Sequence, residues 1–306
     1  MLCFRDARRG RRLHRGKGDP AEPPAAGGRG DNLRAAVLIR SILIPVLAIL
    51  LGAATPAPGP LHIIGGPRTG GCIAGAERLP DHGPGFLTIH RTRSSFWGAP
   101  QTIAHLELLG RRVAAAGLPA MLIEDISLPR GGPMPGGHVS HQIGLDADVG
   151  LDLGARADTA AERETVVLAT LVRSDGRGVE PAHWSPEVVT LLHLAASLPD
   201  VDRVLVNPAI KARLCRDLTG DRSWLHLIRP WYGHAAHMHI SFKCPAGQAD
   251  CIPAPPPPAG DGCDATLQWW FDQLNLPPKP AVPHKPRPVP AACKAIFAAA
   301  GPGPAR

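Results

Sequence analysis

Polar and apolar positions change their period several times along the chain, and each change marks an element. Between Gln101 and Ala116, apolar side chains recur at Ile103, Leu106, Leu109, Val113 and Ala116, a helical stripe that Gly117 ends. The run from Ala120 to Ile126 reads as a strand. A Gly/Pro-rich loop from Pro129 to Gly137 then leads into strict alternation. Asp146 and Asp148 point one way, Ala147 and Val149 the other, which predicts a half-buried strand over Asp146 to Leu151. Residues 160–173 and 186–198 carry helical periods. The second of these opens on Ser185-Pro186-Glu187, a capping residue followed by proline at the first helical position. Arg203 to Asn207 reads as a short strand, Asn207-Pro208 opens a helix toward Cys215, and Ala236 to Phe242 is the last clear strand.

Two regions lack such a period. Residues 58–100, rich in Gly, Pro and Arg, predict irregular structure wrapped on the domain. Beyond Cys251, proline tracts at 253–258 and 277–290 flank a short helical piece from Leu267 to Leu274. The tracts cannot donate hydrogen bonds to a sheet and read as extended straps. The predicted class is α+β: an antiparallel sheet core with flanking helices, and irregular N- and C-terminal segments stapled by disulfides.

The chain has 306 residues, room for one well-buried domain with extras, and with aromatics at 4% the core must be built on Leu, Val, Ile and Ala. The net charge of +7 arises largely in the first 40 residues, where ten Arg and Lys face four acids. The remainder is only mildly basic, so no nucleic-acid partner is expected. The basic start precedes an apolar run from Ser41 to Gly52 and the small residues Ala53-Ala54-Thr55-Pro56-Ala57, the layout of a secretory signal. Arg40 and Pro45 interrupt the apolar stretch, which argues against a permanent membrane anchor. Cysteine usage agrees with export. Cys3 falls in the signal region and leaves Cys72, Cys215, Cys244, Cys251, Cys263 and Cys293, an even set that predicts disulfides of open connectivity. None has the C-x₂-C spacing of a structural zinc site.

Two stretches carry the chemistry. The first, Gly137 to Asp148, places His138, His141, Asp146 and Asp148 within twelve residues, with Gly144 letting the backbone turn. The second, Trp231 to Ile240, holds His234, His237 and His239. On a strand His237 and His239 share a face, about 6.6 Å apart, so one can bind a metal while the other reaches water or substrate. His141, Asp148 and His239 together would give three protein ligands and an open position, the pattern of a catalytic zinc site. Zinc would bring the pKa of water to about 7, with His237 as general base or oxyanion stabiliser. Taken singly, His138 and His234 read as surface or supporting histidines, and Asp146 as a loop cap or a residue that orients a ligand. Nucleophilic catalysis has no comparable support, since there is no G-x-S-x-G and the cysteines are committed to staples.

The combination H-x₂-H-x₆-D and H-x₂-H-x-H resembles the metallopeptidases that join lysostaphin-type enzymes, D-Ala-D-Ala peptidases and hedgehog domains. More specifically, the chain resembles the penicillin-insensitive murein endopeptidases. The likeness runs from about residue 65 to 295. It is carried by Gly71 to Ala76, Gly136 to Asp148, Val206 to Lys211, Arg229-Pro230-Trp231, Ala236 to His239 and Gly260 to Cys263.

The resemblance implies a periplasmic zinc enzyme, one ion per chain, that cleaves D-alanyl–meso-diaminopimelyl cross-links between peptidoglycan stem peptides. It implies zinc ligands at His141, Asp148 and His239, a catalytic role for His237, and His138 and His234 lining the same cleft, with His138 near the metal. It also implies the pairs Cys72–Cys293, Cys215–Cys263 and Cys244–Cys251. The family's extra metal position would match Asp175 and residue 178, but the latter is Gly178, so the resemblance does not carry a second metal site over and leaves its existence open. The resulting division is an export segment at 1–57, a zinc metallopeptidase domain at 58–252, and a proline-rich strap at 253–306 packed on the same domain. A D,D-carboxypeptidase or dipeptidase, or a non-catalytic zinc-dependent wall-binding module, remains the alternative. The pattern sets no oligomeric state.

Overall fold

A computed structural model describes residues 55–66, 69–135, 138–277 and 287–300. The export segment up to Ala54, Gly136-Gly137 of the first motif and most of the second proline tract lie outside the described residues. No described helix is long and apolar enough to cross a membrane.

The N-terminal part opens with β1 (His62–Gly65) and β2 (Gly71–Ala74), an antiparallel pair in which Ile63 faces Ile73. Short strands β3 (Glu77–Arg78), β4 (His82–Gly83), β5 (Phe86–Thr88) and β6 (Trp97–Gly98) follow. Irregular structure was expected over 58–100, and the paired strands correct that reading. The physical reason is length: runs of two to four residues between glycines are too short to show a period. Then come α1 (Pro100–Ala115), β7 (Met121–Ile123), β8 (Asp146–Gly150), α2 (Ala160–Thr165), α3 (Pro186–Ala196), β9 (Val201–Val206), α4 (Pro208–Asp217), β10 (Ile228–Pro230), β11 (His237–Phe242), α5 (Ala265–Gln273) and α6 (Cys293–Ala298).

The main sheet has seven strands in the order β10-β9-β11-β8-β7-β5-β4. It is antiparallel at its centre, where β11 runs between β9 and β8, and parallel at β10/β9 and β5/β7. The α+β class is therefore observed. One face of the sheet carries the core. Ala147, Val149, Met238, Ile240, Val204 and Val206 pack against Leu106, Leu109 and Val113 of α1 and Val188, Leu191 and Leu192 of α3, in one cluster. At roughly 25 cal/mol per Å² of apolar area, this burial is the main term holding the sheet to its helices. The opposite face of β8 and β11 carries the histidines and carboxylates.

Two further readings need correction. The helix expected over 160–173 stops at Thr165. Thr159 and Glu162 cap its start reciprocally, but none of its residues is buried, so no core contact extends the turn past Val166. Leu171 instead folds back into the core, its N–H bonding to Ala235 O. Strand β8 is not half-buried; all five of its residues are buried, because its polar face is roofed by the site.

The three disulfides form as Cys72–Cys293, Cys215–Cys263 and Cys244–Cys251, with Cα–Cα distances of 5.8, 5.5 and 5.9 Å. The first spans 221 residues and joins β2 to α6. Around it Ala57, Ile64, Ala74 and Ile296 form a small apolar cluster. A loop of that length gives a chain-entropy contribution of about 5 kcal/mol.

One cationic side chain is buried within the apolar body beside α4. Lys211 of α4 is fully buried, and its Nζ donates to Leu225 O at 2.8 Å and to Asp261 O. Burial, reinforced by the nearby Arg229 charge, moves its pKa from the ordinary 10.5 to about 7. A neutral amine keeps two N–H donors, enough for both carbonyls. Because the unfolded chain binds the proton more tightly, this group penalises folding fully below pH 7, and the penalty is relieved as pH rises from about 7 to 10.5. Urea midpoints measured at pH 7 and 9 should therefore shift upward less in Lys211→Met than in the parent chain. An identical slope in both would remove Lys211 as the source.

Candidate metal centre

The register of the central strands places the first two functional side chains. His239 of β11 lies directly opposite Asp148 of β8, and Ser241 opposite Asp146. Side chains of such cross-strand pairs meet on one face of the sheet. His141 reaches the same face from the preceding loop. The turn that brings it there is made at Gly144, whose φ is +71°. A Cβ at this position would lie 2.8 Å from Ile73 Cδ1 and 3.1 Å from Ala99 N, so only glycine fits.

His141 Nε2, His239 Nδ1 and the Asp148 carboxylate close a triangle. Its edges are 3.1 Å from His141 to His239, 3.1 Å from His141 to Asp148 Oδ2, and 2.9 Å from His239 to Asp148 Oδ1. Tetrahedral zinc with bonds of about 2.0–2.1 Å separates its ligand atoms by roughly 3.3 Å, so these edges match a preformed ligand set. The outer nitrogens fix which atoms point inward. His141 Nδ1–H donates to Ile126 O at 2.8 Å, which leaves the lone pair on Nε2. His239 Nε2–H donates to Asp146 Oδ1 at 3.0 Å, which leaves the lone pair on Nδ1. Ser241 Oγ also donates to Asp146 Oδ1, at 2.7 Å, and steadies that carboxylate. With those outer contacts made, both inner nitrogens and the Asp148 carboxylate converge on one point, an arrangement that a shared proton or a bound metal ion would satisfy.

The electrostatics agree. All four groups are buried, His141, Asp146, Asp148 and His239 being 1–3% exposed. Burial alone would lower both imidazole pKa values. The hydrogen bonds and charges of Asp148 and Asp146 outweigh it, raising His141 and pushing His239 up to about 10. Burial likewise opposes ionisation of Asp148, but the adjacent His141 and His239 hold it well below the usual carboxylate range. The frame thus selects for positive charge, whether proton or metal.

His138 stands at the edge of this triangle. It is more exposed than the others, with Nδ1 3.8 Å from Asp148 Oδ2 and Nε2 3.5 Å from Asp125 Oδ2. His138, His141 and Asp148 also form a wider set whose ligand atoms lie within 4.8 Å of one another. The set with His239 in place of His138 is tighter. His237 lies two residues along β11 from His239, its Nε2 3.9 Å from Asp148 Oδ2. Burial lowers its pKa, so it is neutral at neutral pH. His234 packs its ring edge-on to His237 and His239 at 5.3 and 5.7 Å. Its backbone has a φ of +39°, and Nδ1–H donates to Tyr232 O at 3.1 Å. Burial, then the charges of His239 and His237, bring its pKa down to about 4.

The sequence reading missed Glu124 and Asp125, at the end of β7. Asp125 is buried, accepts from Arg93 Nη1 at 2.8 Å and from Ser95 Oγ, and faces His138. Glu124 Oε2 lies 3.7 Å from His237 Nδ1. Burial, with Asp148 and Asp125 adding repulsion, raises the Glu124 pKa to about 7. The available signal was two adjacent acids inside an otherwise apolar strand pattern. Asp175, by contrast, is exposed and paired with Arg173 at 2.6 Å. Among the described residues no second cluster of three or more potential ligands forms.

All these histidines line one cavity of about 880 Å³, whose lining also includes Arg203, Arg229 and Lys243, the acid Asp202 that pairs with Arg203 at 2.6 Å, and the rings of Trp231 and Trp270. Comparison with known proteins gives one consistent match. Residues 63–298 fit the family model described as penicillin-insensitive murein endopeptidase. A penicillin-insensitive murein endopeptidase of Klebsiella pneumoniae subsp. pneumoniae is 40% identical over 269 residues, covering 85% of this chain and 98% of that protein. One from Escherichia coli O1:K1 is 42% identical over 246 residues, covering 79% and 88%.

Asp146 touches the metal set only through His239 Nε2 and Ser241, so it provides a test of the frame. Asp146→Ala should weaken metal affinity by about 10- to 100-fold without removing a ligand. Competition against a chromogenic chelator would measure it, and an affinity equal to that of the parent chain would contradict the orientation of His239 described above.

Proposed function

This chain belongs to the penicillin-insensitive murein endopeptidase family, and on that premise we propose that it is a periplasmic zinc endopeptidase hydrolysing D-alanyl–meso-diaminopimelyl cross-links in peptidoglycan. Membership makes the chain a peptidoglycan hydrolase of the metallopeptidase kind. The observation that supports the finer reading is the triangle of His141, Asp148 and His239, with three protein ligands and room for a fourth. His138 is the additional nitrogen close enough to approach the ion. In this reading residues 58–252 form the catalytic domain, residues 253–306 its strap, and residues 1–57 the segment that directs export.

When bound, zinc supplies Lewis acidity and lowers the pKa of water to about 7. The chain's own residues do the rest. His237 is held neutral by burial, so it is ready to accept a proton at neutral pH. With Nδ1 turned to Glu124, its Nε2 lone pair lies on the Asp148 side, where it takes the proton of the attacking water and returns it to the departing amine. Glu124 steadies the imidazole and the charge it carries between these two transfers. His234 is also neutral; its Nδ1–H is used on Tyr232 O, so its Nε2 is an acceptor for a substrate N–H in the cleft. The basic side chains of the lining, Arg203, Arg229 and Lys243, are complementary to the carboxylates of stem peptides.

Digestion of purified cross-linked muropeptide dimers, read by mass spectrometry, tests the proposal. Dimers should convert to monomers, stop converting under chelation, and resume on zinc add-back. His141→Ala, Asp148→Ala and His239→Ala should lose both metal and activity. His237→Ala should retain its metal and lose about a hundred- to ten-thousandfold in rate. Loss of metal in that last variant would make His237 a ligand and overturn its role as base.

A further inference from the structure

Half of this chain's six tryptophans, in a protein with only 4% aromatic residues, stand together at one place. Trp231 and Tyr232 follow β10, Trp269 and Trp270 lie on α5, and the fold brings the two pairs into contact. Trp270 is the hub. Its ring lies 5.9 Å from Trp231, 5.0 Å from Tyr232 and 5.2 Å from Trp269, all in tilted or edge-on arrangements. Tyr232 Oη donates to Trp270 O and fixes the two segments to each other. Trp231 N–H is tied to Val206 O at 2.9 Å. The outer rings are rigidly held yet left in solvent: Trp231 is 55% exposed and Trp269 52%.

Rigid indoles at half exposure are unfavourable in water and mark a contact surface. Continuity says what covers this one. Trp231 and Trp270 line the same cavity as His237, so the cluster is the rim of the catalytic cleft. On the function proposed above, on which this inference rests, the peptide in the cleft is a branch from a glycan strand. A stem of a few residues spans on the order of 10 Å, so the sugars must lie close beside the cleft. The axial C–H groups of a pyranose are slightly positive and stack on the electron-rich face of an indole. Gln268 and Asp272, exposed on the same helix as Trp269 and joined by a 2.9 Å hydrogen bond from Gln268 Nε2 to Asp272 Oδ1, keep their remaining polar atoms for hydroxyl and acetamido groups. A protein partner fits less well. The exposed parts of Trp231, Trp269 and Tyr232 together offer roughly 300 Å², against about 800 Å² per side in a stable protein interface.

We propose that Trp231 and Trp269, buttressed by Trp270 and Tyr232, form a stacking platform for the amino-sugar units of the glycan strand that carries the stem peptide.

The test compares two substrates with the full chain: intact peptidoglycan sacculi, and cross-linked peptide dimers freed of their sugars by an amidase. Trp269→Ala should lose about three- to tenfold in rate on sacculi and nothing on the sugar-free dimers, and Trp269→Phe should recover most of the loss. Equal losses on both substrates would assign the ring to the peptide cleft, and no loss on either would leave the platform without a ligand; each overturns the proposal. Quenching of tryptophan fluorescence by a soluble N-acetylglucosamine tetramer, weakened in Trp269→Ala, is the second readout. If the parent chain cleaves neither substrate, the endopeptidase reading fails, and this titration alone judges the platform. Absence of quenching in the parent chain would overturn it and leave a protein partner as the occupant to seek.

Discussion

The site depends on one register. With β11 paired to β8 so that His239 faces Asp148, an imidazole from one strand and a carboxylate from the other share a face without any loop to hold them. A slip of β11 by one residue would turn His239 into the apolar core, leave Asp148 without its partner, and bring Met238 and Ile240 onto the polar face. Met238 and Ile240 are both fully buried, so the slip would also cost their burial. Hydrophobic burial on one face therefore enforces ligand geometry on the other. The fold is stable in the alignment that makes the metal set and costly in any other.

Around that register, the polar groups are arranged in layers that depend on each other. Asp146 and Ile126 O occupy the outer nitrogens of His239 and His141, so the inner nitrogens are the ones turned toward Asp148. Ser241 and Asp146 come from the same two strands, two residues along from the ligands they support. The next residue in the opposite direction on β11, His237, sits where burial is incomplete and its proton can exchange with the cleft. One strand thus supplies a hydroxyl and two imidazoles at positions 241, 239 and 237, and the period of two turns all three toward the same face; in the function proposed above they orient, ligate and act as base.

Much of this could be read from the residues. The alternation at Asp146 to Val149 and at His237 to Phe242 marks the two strands, and their histidines and carboxylates share a face for the same reason. The helical stripes of α1, α3 and α4 are long and end at capping or breaking residues, so their positions were legible too. What was not legible depends on partners distant in sequence. The short strands before α1 carry too few residues for a period; β5 is held by β7, while β1 pairs with β2, β3 with β6 and β4 with β5. The helix begun at Thr159 stops early because no surface receives its apolar side. Glu124 and Asp125 are silent in a strand pattern until β7 is placed beside β8, and the inward nitrogen of each ligand histidine is decided only by what meets the other nitrogen.

The bridge between Cys72 and Cys293 has a mechanical consequence. Both strands of the metal set, and every residue of the cleft, lie on the part of the chain between these two cysteines. A pull applied across the outer ends of the domain travels through the covalent S–S link, bypassing the 221-residue loop that contains the sheet. Hydrogen bonds of the β8–β11 ladder carry none of that load. Tension between the ends of the domain therefore leaves the pairing of β8 with β11, and with it the face that carries the histidines and carboxylates, unloaded.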